Sequence, residues 1–87
     1  MFTTLKYVIL TDGVVRTSIK GDLIAHCDMV GPGETAASAG EVIFEQLIHD
    51  EFTCRVHGSS TTLGVQSRPE DAEAIMQHFI NCSERFR

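Results

Sequence analysis

Eighty-seven residues build one domain and leave too little chain for a second core. Twelve acidic against seven basic side chains give a net charge of −5 with no basic cluster, which excludes a phosphate-backbone footprint and with it a nucleic-acid partner. An apolar share of 43% beside 22% charged residues excludes disorder, and no apolar run reaches the roughly 20 residues that span a bilayer. The segment MFTTLKYVIL lacks a basic region leading into an apolar signal core. Three widely spaced cysteines make no disulfide framework. A cytoplasmic setting, with no membrane partner, is the expectation.

Thr4 to Leu10 is rich in β-branched and aromatic residues and reads as a strand. Thr11-Asp12-Gly13 is turn chemistry, and Val14 to Lys20 completes a hairpin. Leu23 to Val30 reads as a third strand, with Ile24, His26, Asp28 and Val30 on one face and Leu23, Ala25, Cys27 and Met29 on the other. Gly31-Pro32-Gly33 stops it. A helix is expected from Glu34 or Thr35 to His49, because Ala36, Ala39, Gly40, Ile43, Phe44, Leu47 and Ile48 recur at helical spacing.

Phe52 to Gly58 is the fourth strand, Gly58-Ser59-Ser60-Thr61 a polar turn, and Thr62 to Gln66 a short fifth strand. Ser67-Arg68-Pro69-Glu70 reads as a capping box, with the Ser67 hydroxyl on the Glu70 amide and Glu70 reaching back. Ala72, Ile75, Met76, Phe79 and Ile80 give the second helix its buried face, and Cys82 to Arg87 reads as a fraying tail. The order is β-β-β-α-β-β-α. Residues 1–87 form a single α+β domain with a mostly antiparallel sheet and two helices.

The segment from His26 to Thr35 holds the most chemistry. A histidine at a strand end, followed by glycines leading into a helix N-terminus, sets a nucleophile or general base beside amides that hold an anion. Asp28 would orient the His26 ring, and Gly33 and Thr35 would supply the anion-binding backbone. The start of the second helix, with Ser67 and Arg68, offers another set of free amides, although a plain cap explains it as well and Glu70 and Asp71 oppose an anion there. Cys54 and His57 fall on opposite faces of a strand, and no C-x-x-C pair occurs, so no metal site is expected. Lys6 shares its face with Val8 and Leu10, and counts for function only if folding brings it near His26.

Taken together, Lys6-Tyr7-Val8-Ile9-Leu10, Val14-Val15-Arg16, His26-Cys27-Asp28-Met29 and Ser67 resemble the janus and phosphohistidine phosphatase family. The resemblance implies that His26 is the catalytic histidine, that Lys6 and the amides near Ser67 bind phosphate, and that no cofactor takes part. Departures from the family pattern are Ala25 where the family has an aromatic, His57-Gly58-Ser59-Ser60 in place of a glycine-rich turn, and Pro69-Glu70 in place of a tyrosine-glycine pair. The function expected is a phosphate-binding or phosphatase-like domain acting on a phosphorylated small molecule or protein. The alternative is a non-catalytic, dimeric interaction module. Its homodimer contact would use Phe2, Phe86 and Met29, because a small core and spare sheet edges favour a second copy.

Overall fold

A computed structural model describes residues 2–19, 26–46 and 52–85. Its strands are β1 (Phe2–Leu10), β2 (Val15–Ile19), β3 (Ala36–Gln46), β4 (Phe52–His57), β5 (Ser59–Ser60) and β6 (Val65–Gln66); a 3-10 turn spans His26–Met29 and one helix, α1, spans Asp71–Arg85. The four long strands form an antiparallel sheet in the order β2-β1-β3-β4, and β5 pairs with β6 in a small hairpin of its own. The α+β class and the antiparallel sheet agree with the sequence.

The first hairpin forms as its turn residues dictate. Gly13 takes a φ of 91°, Asp12 Oδ1 accepts the Val14 amide at 3.1 Å, and the Leu10 amide donates to the Val14 carbonyl at 2.9 Å. Alternation then divides β1 between two cores. Tyr7 and Ile9 face α1 and pack with Val15, Val42 and Ile75, with Phe44 and Phe79 against them. Val8 and Leu10 face the other way, onto Met29 and Ala39, where Leu63 and Val65 of the β5–β6 hairpin close the layer. The sheet is thus covered on both faces, by α1 on one side and by the 3-10 turn and small hairpin on the other.

Five expectations are corrected. The expected first helix is β3, a central strand paired to β1 and β4. A strand buried on both faces loses its period-2 pattern, and the small residues that imitate a helix stripe serve close approach instead. A Cβ at Gly40 would lie 2.5 Å from the His57 carbonyl oxygen and 3.1 Å from Ser67 Cβ, so only glycine fits. The part of the expected helix at residues 47–49 lies outside the described residues.

The described part of the expected third strand is the 3-10 turn; residues 23–25 lie outside the described residues. Met29 drives this local fold by burying its side chain against Val8, Leu10 and Ala39. The expected fifth strand is split: residues 61–64 form a turn between β5 and β6, with Gly64 at a φ of 69°. Lastly, α1 continues through residues 82–85 where fraying was expected, and Ile80, expected to be buried, is 45% exposed. Among the described residues no helix is long and apolar enough to cross a membrane.

Candidate functional site

The polar centre of the molecule lies where α1 begins. Asp71, the first residue of α1, is wholly buried against β1 and β3. Tyr7 donates its hydroxyl to Asp71 Oδ2 at 2.7 Å, and the Arg68 amide donates to the same oxygen at 2.9 Å. Arg68 Nε donates to Asp71 Oδ1 at 3.0 Å, and Arg68 Nη2 lies 3.0 Å from it. The Asp71 amide in turn donates to the Arg68 carbonyl at 2.9 Å. The reach-back of a capping box is present, but Asp71 performs it, and Arg68 stands where Ser67 was expected. Glu70 is instead exposed, 3.7 Å from Arg68 Nε.

Burial alone would raise the Asp71 pKa. The hydrogen bonds from Tyr7, from the Arg68 amide and side chain, and the nearby Ser38 hydroxyl outweigh it and hold the carboxyl below the usual carboxylate range. The Ser38 hydroxyl is buried without a hydrogen bond of ordinary geometry, so it acts on Asp71 through proximity. Burial first, then the bond to Asp71, pushes the Tyr7 hydroxyl far above its ordinary value. Asp71 is therefore an anion, Tyr7 keeps its proton, and Arg68 is locked in place.

Arg68 also lines an open cleft of about 600 Å³, together with Ala37, Ser59, Ser60, Thr61, Val65 and Gln66. The β5–β6 hairpin sets these donors around the cleft. Ser60 is buried, its Oγ accepts the Leu63 amide at 3.3 Å, and the same oxygen lies 3.2 Å from Thr62 Oγ1. Ser59, Thr61 and Gln66 are exposed. In the sequence Ser59, Ser60 and Thr61 look like a plain polar turn; the signal they carry is a run of hydroxyls just ahead of Arg68.

Two of the sequence-expected residues, His26 and Ser67, meet at Gly40. His26 Nε2 lies 2.8 Å from the Gly40 carbonyl, which only accepts, so the ring donates from Nε2 and Nδ1 carries the lone pair when the ring is neutral. Ser67 packs against the same Gly40, and its amide donates to the Gly58 carbonyl at 3.0 Å. Lys6 lies opposite Glu41 in the β1–β3 register, one residue along β3 from Gly40. Folding therefore brings His26 and Ser67 to Gly40, while Lys6, on the Val8 face of β1, lies across the sheet from Ser67 and from the Tyr7–Asp71–Arg68 network. Lys6 is on an internal strand of the sheet.

Asp28 is exposed, two residues on from His26 in a 3-10 turn. Residues two apart in such a turn point in different directions, so the shared strand face that made Asp28 the orienting group is absent. The Gly40 carbonyl holds the ring instead. Gly33 and Thr35 are exposed and precede a strand, so the helix N-terminus expected there does not exist. Glu34 fills that loop: Oε1 accepts the Gly31 amide at 2.6 Å, while Arg16 Nη2 donates to Oε2 at 2.6 Å and Arg16 Nη1 to the Met29 carbonyl at 2.9 Å. Arg16 first, then the Gly31 amide, lowers the Glu34 pKa, and an anion already occupies this turn. Of the expected dimer contacts, Met29 is buried, and the Phe2 side chain and Phe86 lie outside the described residues.

No family model, curated protein or solved structure matches this chain. Among the described residues no three metal-ligating side chains gather.

Proposed function

We propose that this domain binds phosphoryl groups in the cleft beside Arg68 and acts on them through His26, in the manner of a phosphohistidine-type phosphatase. The observation that carries this reading is the double placement of Arg68. Its guanidinium is fixed by a buried carboxylate, and the same side chain lines a cleft whose walls offer hydroxyl and amide donors. A planar fork held rigidly loses little entropy on meeting a tetrahedral oxyanion, which is why arginine suits phosphate. Asp71 offsets much of the Arg68 charge and the chain carries −5, so the cleft works at short range with no long-range steering. Affinity for inorganic phosphate in the millimolar range, about −4 kcal/mol, is the expectation.

His26 supplies the reacting atom in this account. With Nε2–H held by Gly40, the Nδ1 lone pair attacks the phosphorus of a phosphoramidate. An N–P bond forms as the P–N bond to the leaving amine breaks, and the amine departs with a proton from solvent. Water then hydrolyses the phosphorylated ring and returns neutral His26 and inorganic phosphate. Arg68 stabilises the charge on the phosphoryl oxygens during both steps.

The test is phosphate release from phosphoramidate and phosphohistidine by the wild type, His26→Ala, Lys6→Ala and Cys27→Ser, each checked by circular dichroism. Turnover by the wild type, by Cys27→Ser and by Lys6→Ala, lost in His26→Ala, is the expected pattern. No release above background from the wild type overturns the catalytic reading. Equal release from His26→Ala overturns the choice of nucleophile. One observation favours the alternative of an interaction module: Phe52, 54% exposed, stands on the outermost strand of the sheet.

A further inference from the structure

We infer that the outer edge of β4 pairs antiparallel with the same edge of a second copy of this chain, in the register that sets Cys54 opposite Cys54. β4 is the last strand of the sheet, so one side of its backbone has no partner strand among the described residues. The other edge of the sheet, β2, is engaged differently: its Arg16 is clamped to Met29 and Glu34 of the neighbouring loop.

Two-fold symmetry perpendicular to a sheet keeps each side chain on its own face, so paired residues share their parity. Two central registers satisfy this. Centring on Arg55 sets Arg55 against Arg55, a direct like-charge pair that disfavours the register. Centring on Cys54 sets Phe52 against Val56 on the α1 face and Thr53 against Arg55 on the other. The second arrangement has a charge complement already in place. Glu45 sits beside Thr53 on the same face, in the β3–β4 register. Arg55 of one copy therefore extends over the short Thr53 of the other towards Glu45, and symmetry makes this contact twice.

The helix agrees. At about 100° per residue, Ala72, Met76 and Ile80 form one flank of α1, turned away from buried Ile75 by progressively larger angles. The Cys54 thiol donates to the Ala72 carbonyl at 3.2 Å, which puts this flank on the β4 side. The exposed side chains Phe52 and Ile80 therefore lie on the face that the second copy's helix would meet, and pairing the edges brings the two α1 flanks side by side.

Sedimentation velocity over a concentration series tests the inference, with the wild type, Arg55→Glu, and the double variant Arg55→Glu with Glu45→Arg. Wild type should be a dimer. Arg55→Glu sets Glu45 against a like charge at both contacts and should weaken the dimer about a hundredfold. The double variant restores opposite charges and should recover it. A monomeric wild type overturns the inference. So does a dimer indifferent to Arg55→Glu, or a double variant that stays monomeric while circular dichroism shows it folded.

Discussion

Replacing Tyr7 by phenylalanine tests the buried network directly, because it deletes one oxygen and leaves the ring in its core position. The oxygen lost donates to an ionised, wholly buried Asp71 at 2.7 Å. A hydrogen bond to a charged partner contributes about 1.5–3 kcal/mol, so the expected loss is about 2 kcal/mol. In a domain of this size that lowers the thermal midpoint by roughly 8–16 °C. Chemical denaturation at neutral pH reads it as a shift in midpoint with unchanged slope. The pH dependence adds a second check. The Asp71 carboxyl is held below its unfolded value, so its contribution is complete above about pH 4. It is lost as pH falls through the lower folded value, and the Tyr7→Phe penalty should shrink over that window. In an Asp71→Asn background the same change should cost about half as much, since the acceptor is then neutral. A loss below about 0.5 kcal/mol, or one equal in both backgrounds, would refute the view that Tyr7 and Asp71 act as a charge-assisted pair.

Gly40→Ala should destabilise by about 2 kcal/mol or more in denaturant titration, because its Cβ meets the His57 carbonyl at 2.5 Å and backbone cannot yield cheaply. Glu34→Ala should release the Gly31 amide, read as a lower hydrogen-exchange protection factor there, and in the wild type the same protection factor should fall only at acid pH, as Glu34 loses its charge through its lowered pKa. Burial raises the Cys54 thiol, so alkylation of Cys54 should be slow at neutral pH and accelerate only above the ordinary thiol range, as peptide mapping would show. His26→Ala should cost only about 1 kcal/mol, the value of one bond to the Gly40 carbonyl, so any loss of phosphate release in that variant reflects chemistry and not unfolding.

Legibility in the sequence followed local chemistry. The β1–β2 hairpin was readable because Asp12 and Gly13 impose their turn whatever packs around them. β4 was readable because its alternation survives at a sheet edge, with one side exposed. β3 was not, since covering both faces erased its alternation and the demand for closeness at Gly40 filled it with helix-like small residues. The 3-10 turn was hidden for a similar reason: Met29 is its one buried apolar anchor among the described residues, and one buried side chain leaves no period. At the candidate site, His26, Lys6, Ser67 and Arg68 were all visible as residue types; folding brings His26 and Ser67 to Gly40 and sets Lys6 on the other face of the sheet from Ser67. The identity of the anion seat was not visible. Glu34 fills the loop that seemed open, and Asp71, one residue beyond the expected Glu70, turns inward because Tyr7 lies sixty-four positions earlier in sequence.

The claim that the Arg68 cleft holds a phosphoryl group is tested most directly by titrating inorganic phosphate into labelled protein and following amide and arginine side-chain nitrogen shifts. Saturable shifts at Ser59, Ser60, Thr61, Gln66 and the Arg68 Nε, with residues 31–35 unmoved, are the result expected. Silence across the cleft, or saturable shifts confined to residues 31–35, would contradict it.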